Sequence, residues 1–575
     1  MENLEKRARP LGFWLGAGIL VAVTILSLTV RGYRLGDIQP HHDEYPMFGF
    51  TKGRVPVWNG SLDGFARTIC DNAVLITESD STTVGCLVAE LFRWFFGDNL
   101  LAARWFHAIL QSIGVGIVAW MSWRLFSPCW PAVAAVSILG IVSVPSIIYG
   151  QFGEMYAIYF LASCVQLTAY LHLLWRRKTW PAYLGYTVTA VICGYFEYLQ
   201  VFVFAGLILF SVLDSGLVPR WRRLGRASSM LGIYGLLNLP FVNLFFLTNK
   251  LNVGFRPYLW HYYPGRAFDA GTIGAWTYYY VVQVYDFLNY HFGLIYDSTI
   301  YRPLAWNWAF APLLLLFLLG LGALFFPFRC TREWVRSARR MAVLFLVFLV
   351  VLILGNLLYL VPLGGVRNTI CLAPVLWLSY GTAVVGFWRW VDGGRRISKL
   401  PAGLLVVAPL VLLAFSWKGL YSDRVSNLDL VVLERAIEES RADTVVMPQA
   451  SYWPFLQVLQ AHPDFVRKYP PGGKVRFHSF EEMEDENWGN YPRPVPGEKI
   501  LALDLNLSAD CRYEGKGITI DHPSLKELCG PDWEIIPIVE RPGPHVGVEY
   551  HQSIYYPPNS FYLYRLRLGG EDSPR

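Results

Sequence analysis

The stretch MAVLFLVFLVVLILGNLLYLV, residues 341–361, decides the class of fold because no charged residue interrupts it. A helix rises about 1.5 Å per residue, so a run of this length spans roughly 30 Å, the thickness of the hydrocarbon core of a bilayer. The run directly follows the basic segment RSARR, residues 336–340, and the next basic residue after it is Arg367. The sequence therefore predicts a membrane-spanning helix that begins on the cytoplasmic side.

Similar apolar runs recur along the chain. Only 16% of the residues are charged and 54% are hydrophobic, whereas about 25% of residues are charged in an ordinary soluble protein. The first run has a basic flank and no small-residue cleavage site, which favours a retained span over a signal peptide. An α-helical polytopic membrane protein with about eleven transmembrane helices is predicted, with spans at roughly 11–30, 104–124, 130–150, 155–174, 180–195, 197–213, 228–247, 306–327, 341–361, 369–390 and 401–418.

Basic residues concentrate in every second loop between these runs. With the N-terminus in the cytoplasm, all the basic loops lie inside; they are residues 124–128, 175–178, 214–226, 328–340 and 389–399. Three long segments then lie outside, at 31–103, 248–307 and 419–575. The net charge of +6 thus reflects topology, and a nucleic-acid partner is not expected.

The composition changes after residue 418, which divides the chain into a membrane domain, 1–418, and a soluble extracytoplasmic domain, 419–575. Charged residues return there, and short apolar runs predict strands at 444–447, 500–505, 535–539 and 561–566, with a helix at 430–440. Interleaved helices and strands favour an α/β domain. Whether Cys511 and Cys529 form a disulfide stays open. Residues 85–96 predict a short helix lying in the membrane interface.

The most concentrated polar feature is His41-His42-Asp43-Glu44-Tyr45, about ten residues beyond the first span. Adjacent carboxylates beside a membrane are costly unless they are hydrated, paired or used in chemistry. A solvated loop is the plain alternative. The pattern is therefore a candidate catalytic site at the outer face of the membrane.

The carboxylate pair, the predicted interfacial helix and then FGDNLLAARWFHAIL, residues 96–110, resemble the GT-C superfamily of membrane glycosyltransferases. The likeness is to the branch of protein O-mannosyltransferases and lipid A aminoarabinose transferases. GQFGEMYA, residues 150–157, resembles a polar turn of that branch, and VPLGGVRNTICLAPVLWL, residues 361–378, resembles its Pro-x-x-x-x-Arg segment. The chain departs from the family pattern at residues 81–83, Ser-Thr-Thr, and at Glu154.

The resemblance implies a glycosyltransferase that takes its sugar from a polyprenyl phosphate and inverts the anomeric carbon. Asp43 is then the general base for an acceptor hydroxyl, and Glu44 orients it or binds the acceptor. Arg367 is the expected contact for the leaving phosphate, because a guanidinium grips phosphate in a fork.

Further substrate contacts are expected from His42, Glu154 and Tyr156. No cofactor is certain. The acids with His41 or His42 offer a possible divalent metal site, although their spacing matches no metal motif. The acceptor is a lipid, a glycan or a protein, and the expected setting is a bacterial inner membrane with the active site and C-terminal domain on the periplasmic side.

Two other function classes stay open. A transporter or flippase for lipid-linked glycans would use the same membrane setting, although the sequence shows no inverted repeat and predicts no broken helix. A non-enzymatic membrane scaffold would leave the polar cluster at residues 41–45 without a role.

Overall fold

The structure is a computed structural model of the whole chain. It describes residues 2–37, 99–151, 155–175, 180–196, 199–213, 220–239, 271–292, 310–326, 332–358, 360–361, 367–392, 398–418, 441–447, 463–470, 472–479, 500–505, 533–541 and 561–568, with the isolated positions 88, 92, 95–97, 153, 363, 434, 437 and 438. The chain divides into two compact units. Among described residues, the first contains those up to Tyr33, residue 88 and those from Arg104 to Trp417; the second contains residues 34–37, 92, 95–97, 99–103 and those from Lys418 onward.

The first unit is built from helices. They are α1 (Glu2–Gly32), α2 (Leu100–Phe126, which begins in the second unit), α3 (Trp130–Val142), α4 (Val144–Gln151), α5 (Tyr156–Trp175), α6 (Trp180–Phe196), α7 (Gln200–Leu213), α8 (Arg220–Leu237), α9 (Ile273–Phe292), α10 (Ala311–Ala323), α11 (Glu333–Leu357), α12 (Ala373–Asp392) and α13 (Lys399–Lys418). A 3-10 helix, Arg367–Leu372, leads directly into α12.

The chain is a polytopic α-helical membrane protein. Within the described residues, five segments are long and apolar enough to cross a bilayer: Trp14–Gly32, Leu100–Phe126, Tyr156–Leu173, Glu333–Leu357 and Thr369–Trp390. The bent pair of α3 and α4 makes a sixth if it is one span, and shorter apolar helices lie at Gln200–Leu213, Ala311–Ala323 and Lys399–Ala414. The expected total of about eleven spans stays a prediction.

One expected span is interrupted. The run at 130–150 was predicted to be one continuous helix, but α3 ends at Val142 and α4 begins at Val144, with a bend of 46°. Pro145 explains the break because proline lacks the N–H that would continue the helical ladder. The expectation that the chain has no broken helix was therefore wrong.

Helix α12 lies at the centre of the first unit, packed against α3, α10 and α11. The span that contains it is almost entirely buried. Small residues allow the close approach: an added Cβ at Gly386 would overlap the carbonyl oxygen of Gly320, and one at Gly381 would lie 2.5 Å from Cγ2 of Val136. Membrane helices associate through such small-residue contacts, because lipid provides no hydrophobic drive for their packing.

The described part of the second unit contains a five-stranded sheet in the order β2-β1-β3-β5-β4. Its strands are β1 (Thr444–Met447), β2 (Arg476–Ser479), β3 (Ile500–Leu505), β4 (Trp533–Arg541) and β5 (Phe561–Leu568), with the short helix α14 (Pro463–Lys468) between β1 and β2. Strands β2, β1 and β3 pair in parallel, and β5 pairs antiparallel with β3 and β4. Pro537 stands on the edge strand β4, where a missing N–H is tolerated.

The four predicted strands are present as β1, β3, β4 and β5, and β2 adds a fifth. The placement of residues 419–575 as a separate extracytoplasmic domain stays a prediction. Cys511 and Cys529 lie outside the described residues, as do most of the interfacial helix predicted at 85–96 and most of the helix predicted at 430–440.

Candidate functional site

A fully buried arginine stands in the last turn of α1. Nη1 of Arg31 donates to Oγ of Ser27 at 2.6 Å, and Nη2 donates to Oγ of Ser146 at 2.6 Å. The same guanidinium donates to two backbone carbonyls of α3, those of Gly140 at 3.2 Å and Ile141 at 3.4 Å. Arg31 therefore joins α1 to both α3 and α4.

The carbonyl of Ile141 is available because of the break between α3 and α4. In an uninterrupted helix it would accept from the N–H of residue 145, which is proline. Ser143 still donates its N–H to Leu139 at 2.8 Å, so the ladder stops after that bond. An unsatisfied carbonyl inside a membrane protein costs several kcal/mol, and the guanidinium of Arg31 supplies the missing donor.

Helix α2 carries buried polar residues on the face that includes Gln111. Arg104, His107 and Gln111 are three and four residues apart, which places them on one face of α2, and each is at most 1% exposed. Nε2 of Gln111 donates to Oγ of Ser146 at 2.8 Å. Ser146 thus accepts from α1 and from α2 together.

Gly150 packs against this cluster with no spare room. A Cβ at this position would lie 2.9 Å from Cδ and Nε of Arg31 and 2.9 Å from Cγ of Gln111. The next residue, Gln151, donates its side-chain Nε2 to the backbone carbonyl of Arg31 at 2.9 Å. The GQFGEMYA motif therefore begins in direct contact with the end of α1.

Four of the residues expected at the site, His42, Asp43, Glu44 and Glu154, lie outside the described residues. Tyr156 is described and begins α5. Its ring packs edge-on against Tyr149 at a centroid distance of 5.0 Å and against Tyr159 at 5.7 Å. Of the expected contacts, Tyr156 is the one whose side chain is described, and it contacts Tyr149 near the end of α4.

Arg367 is the first residue of the 3-10 helix, which contacts α4 and α5. Two residues further on, Oγ1 of Thr369 is hydrogen-bonded to Nε2 of His291 of α9 at 2.9 Å, and His291 is fully buried. The backbone carbonyl of His291 accepts from Nε1 of Trp377 at 2.9 Å and from Oγ of Ser143 at 3.5 Å. The end of α9 therefore reaches the break between α3 and α4.

Sequence reasoning missed Arg31, Gln111 and Ser146 as a connected group. Arg31 was assigned to the start of the first outer loop, although α1 continues to Gly32. The available signal was Ser27 four residues before Arg31, a spacing that lets the two side chains meet on one helical face. Its other partners lie more than a hundred residues away, so no local pattern could identify them.

One further acid has an altered environment. Asp286 lies on α9, which falls in the long segment 248–307 and is not among the helices that meet the criteria for a span. The side chain is half-buried, and burial raises the pKa of its carboxyl to about 7. Desolvation disfavours the charged form of a carboxyl, which is the cause of this direction.

Among the described residues, no group of three or more His, Cys, Asp or Glu side chains could hold a metal ion. The possible metal site at residues 41–44 lies outside them. A divalent metal therefore stays an untested expectation.

Comparison with known proteins gave structural likenesses only. No protein-family model matches the chain, and no curated protein matches it. Among solved structures it is similar to ArnT from Cupriavidus metallidurans bound to undecaprenyl phosphate, with a TM-score of 0.46 and 11% identity over 97% of this chain and 99% of that chain. It is also similar to the same protein in the apo state, with a TM-score of 0.45 and 10% identity over the same shares.

ArnT is a GT-C enzyme of the branch that the sequence motifs resemble. Both TM-scores are below 0.5, a level at which neither a shared site nor a shared activity follows from the likeness.

Proposed function

We propose that this protein is a glycosyltransferase that moves a sugar from a polyprenyl phosphate to a hydroxyl acceptor at the outer face of the membrane. The observation that carries the proposal is the order of three polar motifs along the chain, at 41–45, 150–157 and 361–378. In support, the 3-10 helix that begins at Arg367 contacts α4 and α5, on which the second motif stands. The helices that carry the second motif are thus in contact with an element of the third motif.

The chemistry requires one base and one group that stabilises a leaving phosphate. Asp43 takes the proton of the acceptor hydroxyl as its oxygen attacks the anomeric carbon. The bond from that carbon to the phosphate oxygen breaks in the same step, and the negative charge that develops is stabilised by Arg367. A single displacement of this kind inverts the anomeric carbon.

The other assigned residues act on binding. Glu44 orients Asp43 or contacts the acceptor, and His42, Glu154 and Tyr156 contact the substrates. The buried cluster of Arg31, Gln111 and Ser146 supports the end of α1, from which the chain continues toward Asp43. Precise support matters because a catalytic group that is misplaced by about 1 Å can cost about a hundredfold in rate.

The donor lipid and the cellular setting are part of the proposal. One of the similar ArnT structures contains undecaprenyl phosphate, and a lipid of this class is the proposed donor carrier here. The proposed location is a bacterial inner membrane, with the transfer site on the periplasmic side. This follows from the arrangement of basic loops, which assigns residues 31–103 to the outside.

A transporter or flippase for lipid-linked glycans is the second candidate, and one observation favours it. Broken helices are typical of transporter binding sites, and α3 and α4 form such a broken pair. In this protein, two carbonyls just before the break, those of Gly140 and Ile141, accept from Arg31, a side chain of the same chain. That use weakens the case for the break as a substrate site.

Mass spectrometry of lipid-linked sugars tests the proposed function. Cells without this protein are compared with cells in which the wild-type protein is restored. A transferase predicts that a polyprenyl-phosphate sugar accumulates without the protein and is consumed when the protein returns. An identical lipid profile in both cells would contradict the proposal.

A further inference from the structure

Two chain segments that lead to assigned carboxylates begin at one cluster of contacts. The segment that follows Arg31 reaches Asp43 after 12 residues, and the segment that follows Gln151 reaches Glu154 after three. Arg31 and Gln151 are joined by a hydrogen bond, in which Nε2 of the glutamine donates to the backbone carbonyl of the arginine. The starting points of both segments are therefore held together.

The bonds of Arg31 require a fork. Nη1 is bonded to Ser27 and reaches Ile141, whereas Nη2 is bonded to Ser146 and Gly140, so the two nitrogens serve acceptors on three different helices. A planar guanidinium offers donors in fixed and diverging directions, but a lysine ammonium is a single point. Lysine cannot hold α1, α3 and α4 at once.

Packing leaves the arginine little room to move. The side chain lies against Gly150, where a Cβ would already be only 2.9 Å from Cδ and Nε. Ser146 receives a second bond from Gln111, which fixes the acceptor as well as the donor. Both the guanidinium of Arg31 and the hydroxyl of Ser146 are thus held in place.

We propose that Arg31 is a positioning residue for the transfer reaction. It fixes the end of α1 against α4, so that the segments leading to Asp43 and Glu154 leave from a constant geometry. Arg31 has no role in binding the donor lipid in this scheme. The inference rests on the proposed function, because the two carboxylates are assigned to the reaction there.

The chain offers a matched control at another place. Arg389 of α12 is also buried, and it donates to the carbonyls of Leu324 and Phe326, just after the end of α10, at 2.7 and 2.8 Å. It is 12 residues beyond Trp377, a neighbour of Gly140, and so lies about 18 Å further along α12. Arg389→Met removes the same kind of carbonyl cap away from the candidate site.

The experiment uses the full-length protein in lipid nanodiscs, as wild type, Arg31→Met, Arg31→Lys and Arg389→Met. Ser146→Ala is a milder variant, in case the loss of Arg31 prevents folding. Three quantities are measured. They are hydrogen exchange of the amides in residues 144–151, affinity for undecaprenyl phosphate, and consumption of the lipid-linked sugar extracted from cells that lack the protein, with a membrane extract as acceptor.

The expected result separates positioning from general stability. Arg31→Met and Arg31→Lys exchange the amides of 144–151 at least about tenfold faster and consume sugar at least about tenfold more slowly, with affinity for undecaprenyl phosphate within about threefold of wild type. Arg389→Met leaves exchange in 144–151 unchanged and consumption within about twofold of wild type. Ser146→Ala is expected to have amide exchange rates in 144–151 and a rate of sugar consumption between those of wild type and Arg31→Met.

Two results would overturn the inference. Unchanged exchange in 144–151 for Arg31→Met would show that the arginine does not hold α4, whatever happens to transfer. Equal losses of consumption in Arg31→Met and Arg389→Met would show that both act through stability alone. If the wild-type protein consumes no lipid-linked sugar, the proposed function fails, whereas the exchange comparison still decides whether Arg31 holds α4.

Discussion

Asp286 makes the stability of this protein depend on pH in a defined direction. Its pKa is raised from the model-compound value of 3.8 to about 7 in the folded protein, because burial disfavours the carboxylate. Because the pKa is raised in the folded state, the contribution of protonated Asp286 to the free energy of unfolding is fully present below about pH 4. It is lost as pH rises to about 7 and stays lost above that value.

The size of the effect follows from the difference between the two pKa values. The difference is about 3 pH units, and each unit corresponds to about 1.4 kcal/mol, so the upper bound is about 4 kcal/mol at pH 8. Asp286→Asn removes the charge and keeps the shape of the protonated acid. At pH 8 the variant is therefore expected to be more stable than wild type, with a melting temperature several degrees higher.

The assay is thermal unfolding of the purified protein in nanodiscs, followed by tryptophan fluorescence from pH 4.5 to pH 8.5. The advantage of Asp286→Asn should shrink as pH falls, to about 1 kcal/mol near pH 4.5, where the carboxyl is still mostly ionised in the unfolded state. Asp464→Asn is the matched control, because that carboxylate is exposed and pairs with the exposed Arg467 in an i,i+3 contact. A melting-temperature difference for Asp286→Asn that does not change with pH would refute the reasoning.

The remaining predictions concern packing and donor binding. Gly386→Ala is expected to destabilise the protein by at least about 1–3 kcal/mol, because the added Cβ would overlap the carbonyl oxygen of Gly320. Gly403→Ala is the control, because the space around Gly403 is open. Equal melting temperatures for the two variants would contradict the packing argument. Arg367→Ala is expected to weaken binding of undecaprenyl phosphate about tenfold or more, since a charge-assisted contact to phosphate is lost. Titration of the lipid checks this, with Arg395→Ala as control because Arg395 belongs to the basic loop 389–399 predicted on the cytoplasmic side; unchanged affinity for Arg367→Ala would remove Arg367 from the phosphate site.

Periodicity and length identified most helices of the first unit. Residues 341–357 of the run at 341–361 lie in α11, and the run at 369–390 matches the almost fully buried span around α12. Such runs are visible in the sequence because hydrocarbon excludes charge over a fixed thickness. The strands of the second unit were also visible as short apolar runs, except β2, whose sequence RFHS has a single apolar residue, Phe477.

The break between α3 and α4 could have been predicted, because Pro145 is present in the sequence. An apolar composition on both sides concealed it, since proline is tolerated in membrane helices when another group satisfies the exposed carbonyls. That group is Arg31, whose partners at Gly140 and Ser146 are more than a hundred residues away. Contacts of this separation leave no periodic signal, so the buried support of the site was found only in the structure.

The carboxylates at 43 and 44 were selected by their chemistry and their distance from the first span. They lie outside the described residues, so their role as base and orienting group stays a prediction. Tyr156 and Arg367 were selected by motif, and the structure describes the ring of the first and the backbone of the second. The structural evidence on the site therefore comes from the helices that are next to its motifs along the chain.

Transfer by Asp43→Asn is the most direct test of the central claim that Asp43 is the base of a membrane glycosyltransferase. The purified variant and the wild-type protein are given the lipid-linked sugar from cells that lack the protein, together with a membrane extract as acceptor, and release of polyprenyl phosphate is followed by mass spectrometry. We expect release by wild type, at least about a hundredfold slower release by Asp43→Asn, and similar affinity of both for undecaprenyl phosphate. Release by Asp43→Asn at the wild-type rate would contradict the claim.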